Sequence, residues 1–202
     1  RREAEWESRW WSPIINAEHL AMRDRVGMVD LSAFAIFDVT GPGAVACLEG
    51  LVVSPVDVPV GRVIYTPWCD EQGKVIDDGT VSRLAEQRYR WTAADPSLRW
   101  FTQNAVGLEV SIEDVSETVA ALAVQGPTSG ALLRRVADAD VDSLRYFRVT
   151  SGAIAGVPVD ISRTGYTGDL GYEIWMPWDE ATRVWDAIVM AGGPCDLRPA
   201  GM

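Results

Sequence analysis

The chain has 202 residues, enough for one large domain or two small ones, and its 48% apolar and 23% charged residues suit a folded core rather than disorder. A formal net charge of −11 argues against nucleic acid as a partner, because phosphate binding needs a basic face, although a local pocket can still hold an anion. No apolar run reaches the roughly 18 residues of a membrane span, and Arg1 to Arg9 alternate in charge without the apolar stretch of a signal peptide.

In chain order, Ile15, Leu20, Met22 and Val26 recur at loosely helical spacing until Gly27 ends the pattern, which predicts an opening helix. The single histidine, His19, falls inside it without a ligand cluster, so neither a metal site nor Ser-His-Asp chemistry is expected. A strand follows at 35–39, then the turn Gly41-Pro42-Gly43 and a short amphipathic helix at 44–51. Strands at 62–69 and 75–84 read as a hairpin around Asp70-Glu71-Gln72-Gly73, with glycine where a positive φ is needed. A further strand lies at 89–93. Asp95-Pro96-Ser97 then opens a helix carrying Leu98, Phe101 and Ala105, and the apolar run 119–124 predicts a buried strand. The order β-α-β-β-(β)-α-β is ferredoxin-like with one extra strand.

Beyond Gln125-Gly126-Pro127 the pattern predicts a helix at 128–136, strands at 147–154, 157–163 and 173–176, and a last helix at 179–190 with an acidic first turn and Gly192-Gly193 past its end. The fold class is therefore α+β with two lobes. A ferredoxin-like antiparallel sheet with helices occupies about 38–127, and a second antiparallel-sheet lobe is built from 1–37 together with 128–202. Cys47, Cys69 and Cys195 are odd in number and far apart, which suits free thiols in a reducing, cytoplasmic compartment.

Five strings carry a more specific signal. They are Gly27-Met28-Val29-Asp30-Leu31-Ser32, Gly61-Arg62-Val63-Ile64-Tyr65-Thr66, Gly73-Lys74-Val75-Ile76-Asp77-Asp78, Leu122-Ala123-Val124-Gln125-Gly126-Pro127, and Ser162-Arg163-Thr164-Gly165-Tyr166-Thr167-Gly168 followed by Gly171-Tyr172-Glu173. In this order and spacing they resemble the aminomethyltransferase family of the glycine cleavage system T-protein, over roughly residues 17–202. The resemblance implies three domains around a channel that holds tetrahydrofolate. This chain, 1–202, would be the folate-binding region with the first two domains. It would lack the C-terminal third domain and the folate-binding arginine that follows Pro199-Ala200-Gly201-Met202.

Two carboxylates stand out as site candidates. Glu173 follows a glycine and a tyrosine at a strand start, and a carboxylate can accept both adjacent N–H donors of a pterin edge; the resemblance assigns it that contact. In Asp77-Asp78, strand alternation sends the two side chains to opposite faces, so one can be solvated while the other enters a cavity. The resemblance makes Asp78 the acid–base and electrostatic group near the reacting nitrogens. It also places Tyr65, Tyr166 and Phe34 along the folate channel, where aromatic faces sandwich a pterin, and Thr92 at its border in place of the family's usual asparagine. Ala33 stands where a histidine is usual. The tryptophans, Trp175 to Trp178 and Trp10-Trp11 among them, read as interface rather than pocket residues.

The resemblance implies a tetrahydrofolate-dependent one-carbon (aminomethyl or methyl) transferase. Its donor would be an amine, ether, thioether or lipoyl-bound group, and a missing C-terminal domain of its own chain would complete the channel. The alternative is a folate-binding module, inactive by itself, of a larger demethylase or flavin-dependent dimethylglycine/sarcosine oxidase. The chain has no dinucleotide fingerprint of its own for a flavin.

Overall fold

In the computed structural model, which describes residues 12–95 and 97–201, the chain opens with helix α1 (Pro13–Asp24). Ser12 caps it by accepting the Ile15 amide at 3.4 Å, and Pro13 takes the first turn, where no amide partner is needed. The helix is shorter than its spacing suggests: residues Val26–Asp30 form strand β1. Val26 and Met28 enter one apolar cluster while Val29 enters another, the two-residue alternation of a strand buried on both faces. A side chain at Gly27 would come within 2.5 Å of Met22, so the strand lies tightly under the helix. Ile15 and Leu20 stay 63% and 48% exposed; the helix buries Ala21 instead.

The smaller sheet comprises β2 (Ala35–Thr40), β3 (Val63–Cys69), β4 (Val75–Ala85), β5 (Arg88–Ala93) and β6 (Ser111–Asp114) in the order β3-β4-β5-β2-β6. Helices α2 (Ala44–Leu51) and α3 (Leu98–Asn104) cover one face. The β3–β4 turn forms as expected: the Asp70 carboxylate accepts the amides of Gln72 and Lys74, both at 2.9 Å, and Gly73 has φ 78°. Beneath the helices, Trp91 stacks on Phe101 with centroids 3.9 Å apart and Trp68 meets Trp91 edge-on at 4.9 Å. Pro96, expected to open α3, lies outside the described residues, as do Trp10 and Trp11.

The larger sheet holds β1, β7 (Val119–Gln125), β8 (Ala137–Asp138), β9 (Val149–Ile154), β10 (Val157–Ser162), β11 (Gly171–Pro177) and β12 (Leu197–Ala200), ordered β12-β1-β7-β11-β10-β9-β8. Strand β12 runs parallel to β1, whereas β7 is antiparallel to both β1 and β11. Helices α4 (Ser129–Val136) and α5 (Ala181–Gly192) pack on its outer face. The acidic residues Asp179 and Glu180 sit in a 3-10 turn before α5, and Gly192 is the last residue of the helix rather than lying beyond it.

One expectation fails in an informative way. Strand β7 was expected to complete the ferredoxin-like lobe of 38–127, but it sits in the middle of the larger sheet. Its run is buried on both faces, which suits a central strand between two covered surfaces. The position in the smaller sheet falls to β6, a short, mostly exposed edge strand with no apolar alternation to announce it. The smaller sheet therefore ends at Asp114. Helix α1 contacts β1 and β12, which places it with the larger sheet.

The bare faces of the two sheets meet. Val29, Leu31, Ile36, Val115, Ala121, Ala123 and Trp175 form an apolar cluster drawn from both. Arg90 of β5 adds a charged link, reaching Asp38 of β2 at 3.0 Å and Asp160 of β10 at 3.3 Å.

Candidate active site between the two sheets

A cleft of about 350 Å³ opens where the sheets face each other. All six residues singled out from the sequence line it: Tyr65, Asp78 and Thr92 from the smaller sheet, Tyr166 and Glu173 from the larger lobe, and Phe34 from the turn that joins β1 to β2.

On the first wall, Tyr65 of β3 pairs with Thr80 of β4, so Tyr65 and Asp78 project from the same face on adjacent strands. The Tyr65 hydroxyl donates to the Asp78 carboxylate. That hydrogen bond holds the Tyr65 proton and pushes its pKa up. Asp77 turns the other way, as alternation requires: it accepts the Asp78 amide at 2.8 Å and the Asp95 amide at 3.2 Å. Thr92 lies between Ile36 and Thr80 in register and lines the cleft. Next to it, a side chain at Gly79 would stand 1.9 Å from the Thr92 carbonyl oxygen, so β4 and β5 approach closely only because position 79 is glycine.

The second wall carries Glu173, on β11 between Ala123 and Ser162 of its neighbouring strands. Its carboxylate accepts a 2.6 Å hydrogen bond from the Thr164 hydroxyl, which itself lies 2.6 Å from the hydroxyl of Ser162. Burial pushes the Glu173 pKa up, and the hydroxyls of Thr164 and Ser162 pull it part of the way back. No lysine, arginine or histidine forms an ion pair with it among the described residues. The Tyr166 hydroxyl is also pushed to higher pKa, by burial and then by the charge of Glu173.

Several residues at this cleft escaped sequence reasoning. Trp175, read as an interface residue, is 7% exposed and lines the cleft. Phe147, read only as a strand start, has φ 56°, in the left-handed region that bulky side chains avoid. Its amide donates to the Arg163 carbonyl and its carbonyl accepts the Val63 amide, so one strained residue ties the larger lobe to the smaller sheet at the rim. Gln125, 1% exposed, donates to the carbonyls of Thr164 and Tyr172, each at 3.2 Å, and accepts from Thr167 at 3.0 Å. A side chain at Gly165 or Gly171 would fall 2.2 Å or 1.9 Å from its Oε1. The glutamine and the glycines of two separate strings are thus one device that holds the Tyr166 loop against the Glu173 strand. Their shared spacing was the signal, legible only once the strands are paired.

No group of three or more His, Cys, Asp or Glu could hold a metal ion among the described residues, and no described helix is long and apolar enough to cross a membrane.

Comparison with known proteins gives a consistent result. Residues 2–202 match the family described as the GCVT N-terminal domain. An aminomethyltransferase of Streptomyces avermitilis is 42% identical over 190 residues, 92% of this chain and 51% of that protein. A trimethylamine-oxide aldolase of Ruegeria pomeroyi is 38% identical over 197 residues, 92% of this chain but 25% of its own length. The crystal structure of the glycine cleavage system aminomethyltransferase T from Bartonella henselae superposes with a TM-score of 0.82 at 25% identity, covering 93% of this chain and 51% of that one. The chain thus spans about half the length of the aminomethyltransferases it matches. The family match runs from before helix α1 through the strand that carries Glu173 to the last residue, and the chain belongs to the GCVT N-terminal domain family.

Proposed function

We propose that the cleft receives the pterin head of tetrahydrofolate and that the chain serves a folate-dependent one-carbon transfer, aminomethyl or methyl. The observation that carries this reading is Glu173: a half-buried carboxylate without a cationic partner among the described residues, open to a cleft with aromatic walls. Such a group is stabilised by a guest that offers it paired N–H donors, as the amide and exocyclic amine of a pterin do. A volume of about 350 Å³ lies at the lower end of ligand sites and suits the ring head, with the rest of the molecule leading out. Tetrahydrofolate, when bound, supplies the nitrogens that accept the one-carbon unit.

Within this reading each wall has its own task. Glu173 orients the head, with Tyr166 and Phe34 flanking the ring and Thr92 on the floor. Asp78, held by Tyr65, faces the reacting end, where a carboxylate manages protons and stabilises developing positive charge. The donor is a small amine, ether or thioether or a lipoyl-bound group, and a further C-terminal domain closes the channel. The three free cysteines fit a reducing, cytoplasmic setting.

A second reading has its own support. The trimethylamine-oxide aldolase matches this chain over only a quarter of its length, so the same fold also works as a module of a much larger protein. There the chain would bind folate and leave the first chemical step to another domain.

Calorimetric titration of the intact protein with 5-formyltetrahydrofolate tests the shared part of both readings. Saturable one-to-one binding is expected; no heat and no competition by tetrahydrofolate would overturn them.

A further inference from the structure

The hydroxyls behind Glu173 form a chain whose direction follows once Glu173 is ionised. Thr164 has one hydroxyl proton, and it goes to Glu173 Oε2 at 2.6 Å. In the 2.6 Å contact between Ser162 and Thr164, Thr164 must therefore accept and Ser162 donate. The alternative acceptor for Ser162, the Glu173 carbonyl oxygen at 3.5 Å, is at the limit of hydrogen bonding. The order is Ser162 to Thr164 to Glu173. Ser162 and Thr164 are 2% and 4% exposed, so water cannot readily take the place of either hydroxyl.

That order holds for an ionised Glu173, whose oxygens are all acceptors; a protonated carboxyl would donate to Thr164 and reverse it. The chain occupies one lone pair of Oε2, while no protein donor reaches Oε1 among the described residues. Strand pairing sets the chain in place: Ser162 sits opposite Glu173 across β10 and β11, and the Gln125 side chain grips the Thr164 carbonyl.

We infer that Thr164 and Ser162 are positioning residues that favour the ionised form of Glu173 and turn its free oxygen toward the cleft, readying it for a ligand with paired N–H donors. The ligand class rests on the folate reading above; the coupling of the hydroxyl chain to Glu173 does not. A hydrogen bond to the charged form favours that form, and its loss leaves burial unopposed. Thr164→Val removes the hydroxyl at nearly constant shape, and Thr164→Ser keeps it.

The test uses two readouts on the intact protein. Infrared titration of the Glu173 carboxyl, identified by subtraction of Glu173→Gln, should show a higher protonation midpoint in Thr164→Val, a smaller rise in Ser162→Ala, and a value close to wild type in Thr164→Ser. Affinity for 5-formyltetrahydrofolate should fall about tenfold in Thr164→Val near neutral pH. The loss should shrink as pH rises and ionisation is restored, and Thr164→Ser should rescue it. A Thr164→Val midpoint equal to wild type would overturn the inference, as would an affinity loss equal at every pH, the mark of mere misfolding. If wild type binds no reduced folate, the infrared midpoints still decide the coupling, and it is the folate reading that falls.

Discussion

The two walls of the cleft each offer a carboxylate paired with a hydroxyl, yet the two acids live in different surroundings. Asp78 stands on an exposed part of β4 and meets the Tyr65 hydroxyl at the open side. Glu173 is half-buried on β11, where burial raises its pKa and two buried hydroxyls offset part of that rise. The contrast teaches that the same functional group can be fitted for opposite work. An exposed acid exchanges protons easily and suits chemistry at the reacting end. A buried acid is costly to keep charged, and a matching ligand relieves that cost, so it suits recognition.

The comparison depends on the walls keeping their spacing, and its largest break would come from the Arg90 link. Arg90→Met leaves Asp38 and Asp160 without their shared cation and should cost about 3 kcal/mol of stability in urea unfolding. Burial alone would raise the Asp38 pKa, but the hydrogen bonds and charges of Arg90 and Arg88 outweigh it and hold the carboxyl below its ordinary range. A depressed acid stabilises the fold above its unfolded pKa, and the gain is lost as pH falls through the lower folded value. The acid limb of the wild-type stability curve should therefore be steeper than that of Arg90→Met.

The assignment of chemistry to Asp78 is the next place to press. Asp78→Asn should lower turnover of the intact enzyme by about 10²-fold, with a much smaller change in folate affinity. Asp77→Asn, which acts on the opposite face of the same strand, should do little. Equal effects of the two substitutions in steady-state assays would show that the wrong carboxylate was chosen. The smallest expected effect sharpens the Glu173 half. Its raised pKa means that the folded protein binds more protons than the unfolded chain between the two pKa values, so this group lowers stability as pH rises through that window. Glu173→Gln should raise Tm near neutral pH relative to wild type, and the advantage should fade on acidification. A Gln variant less stable at every pH would contradict the buried, charged state.

Much of this was legible in the sequence because it was written in local strings. The hairpin around Gly73 and the alternation that separates Asp77 from Asp78 rest on spacing and turn chemistry, whereas the gathering of Phe34, Tyr65, Asp78, Thr92, Tyr166 and Glu173 was expected from the family resemblance. What stayed hidden depends on pairing between distant segments. Strand β1 looked like the end of a helix because Val26 falls at helical spacing from Met22, and only its two-sided burial distinguishes it. Strand β7 was set beside the wrong sheet because a run buried on both faces does not say which neighbours cover it. Thr164, Gln125 and Phe147 gain their roles from contacts made only after β3, β7, β10 and β11 are assembled.

The most direct measurement of the central claim is a double-mutant cycle on the Glu173 contact. Wild-type protein and Glu173→Ala are each titrated with reduced folate and with its analogue lacking the exocyclic amine. Wild type should prefer the natural ring by about 2 kcal/mol, roughly thirtyfold, and the variant should bind both forms weakly and alike. Equal preference in wild type and variant would show that Glu173 does not read the pterin edge.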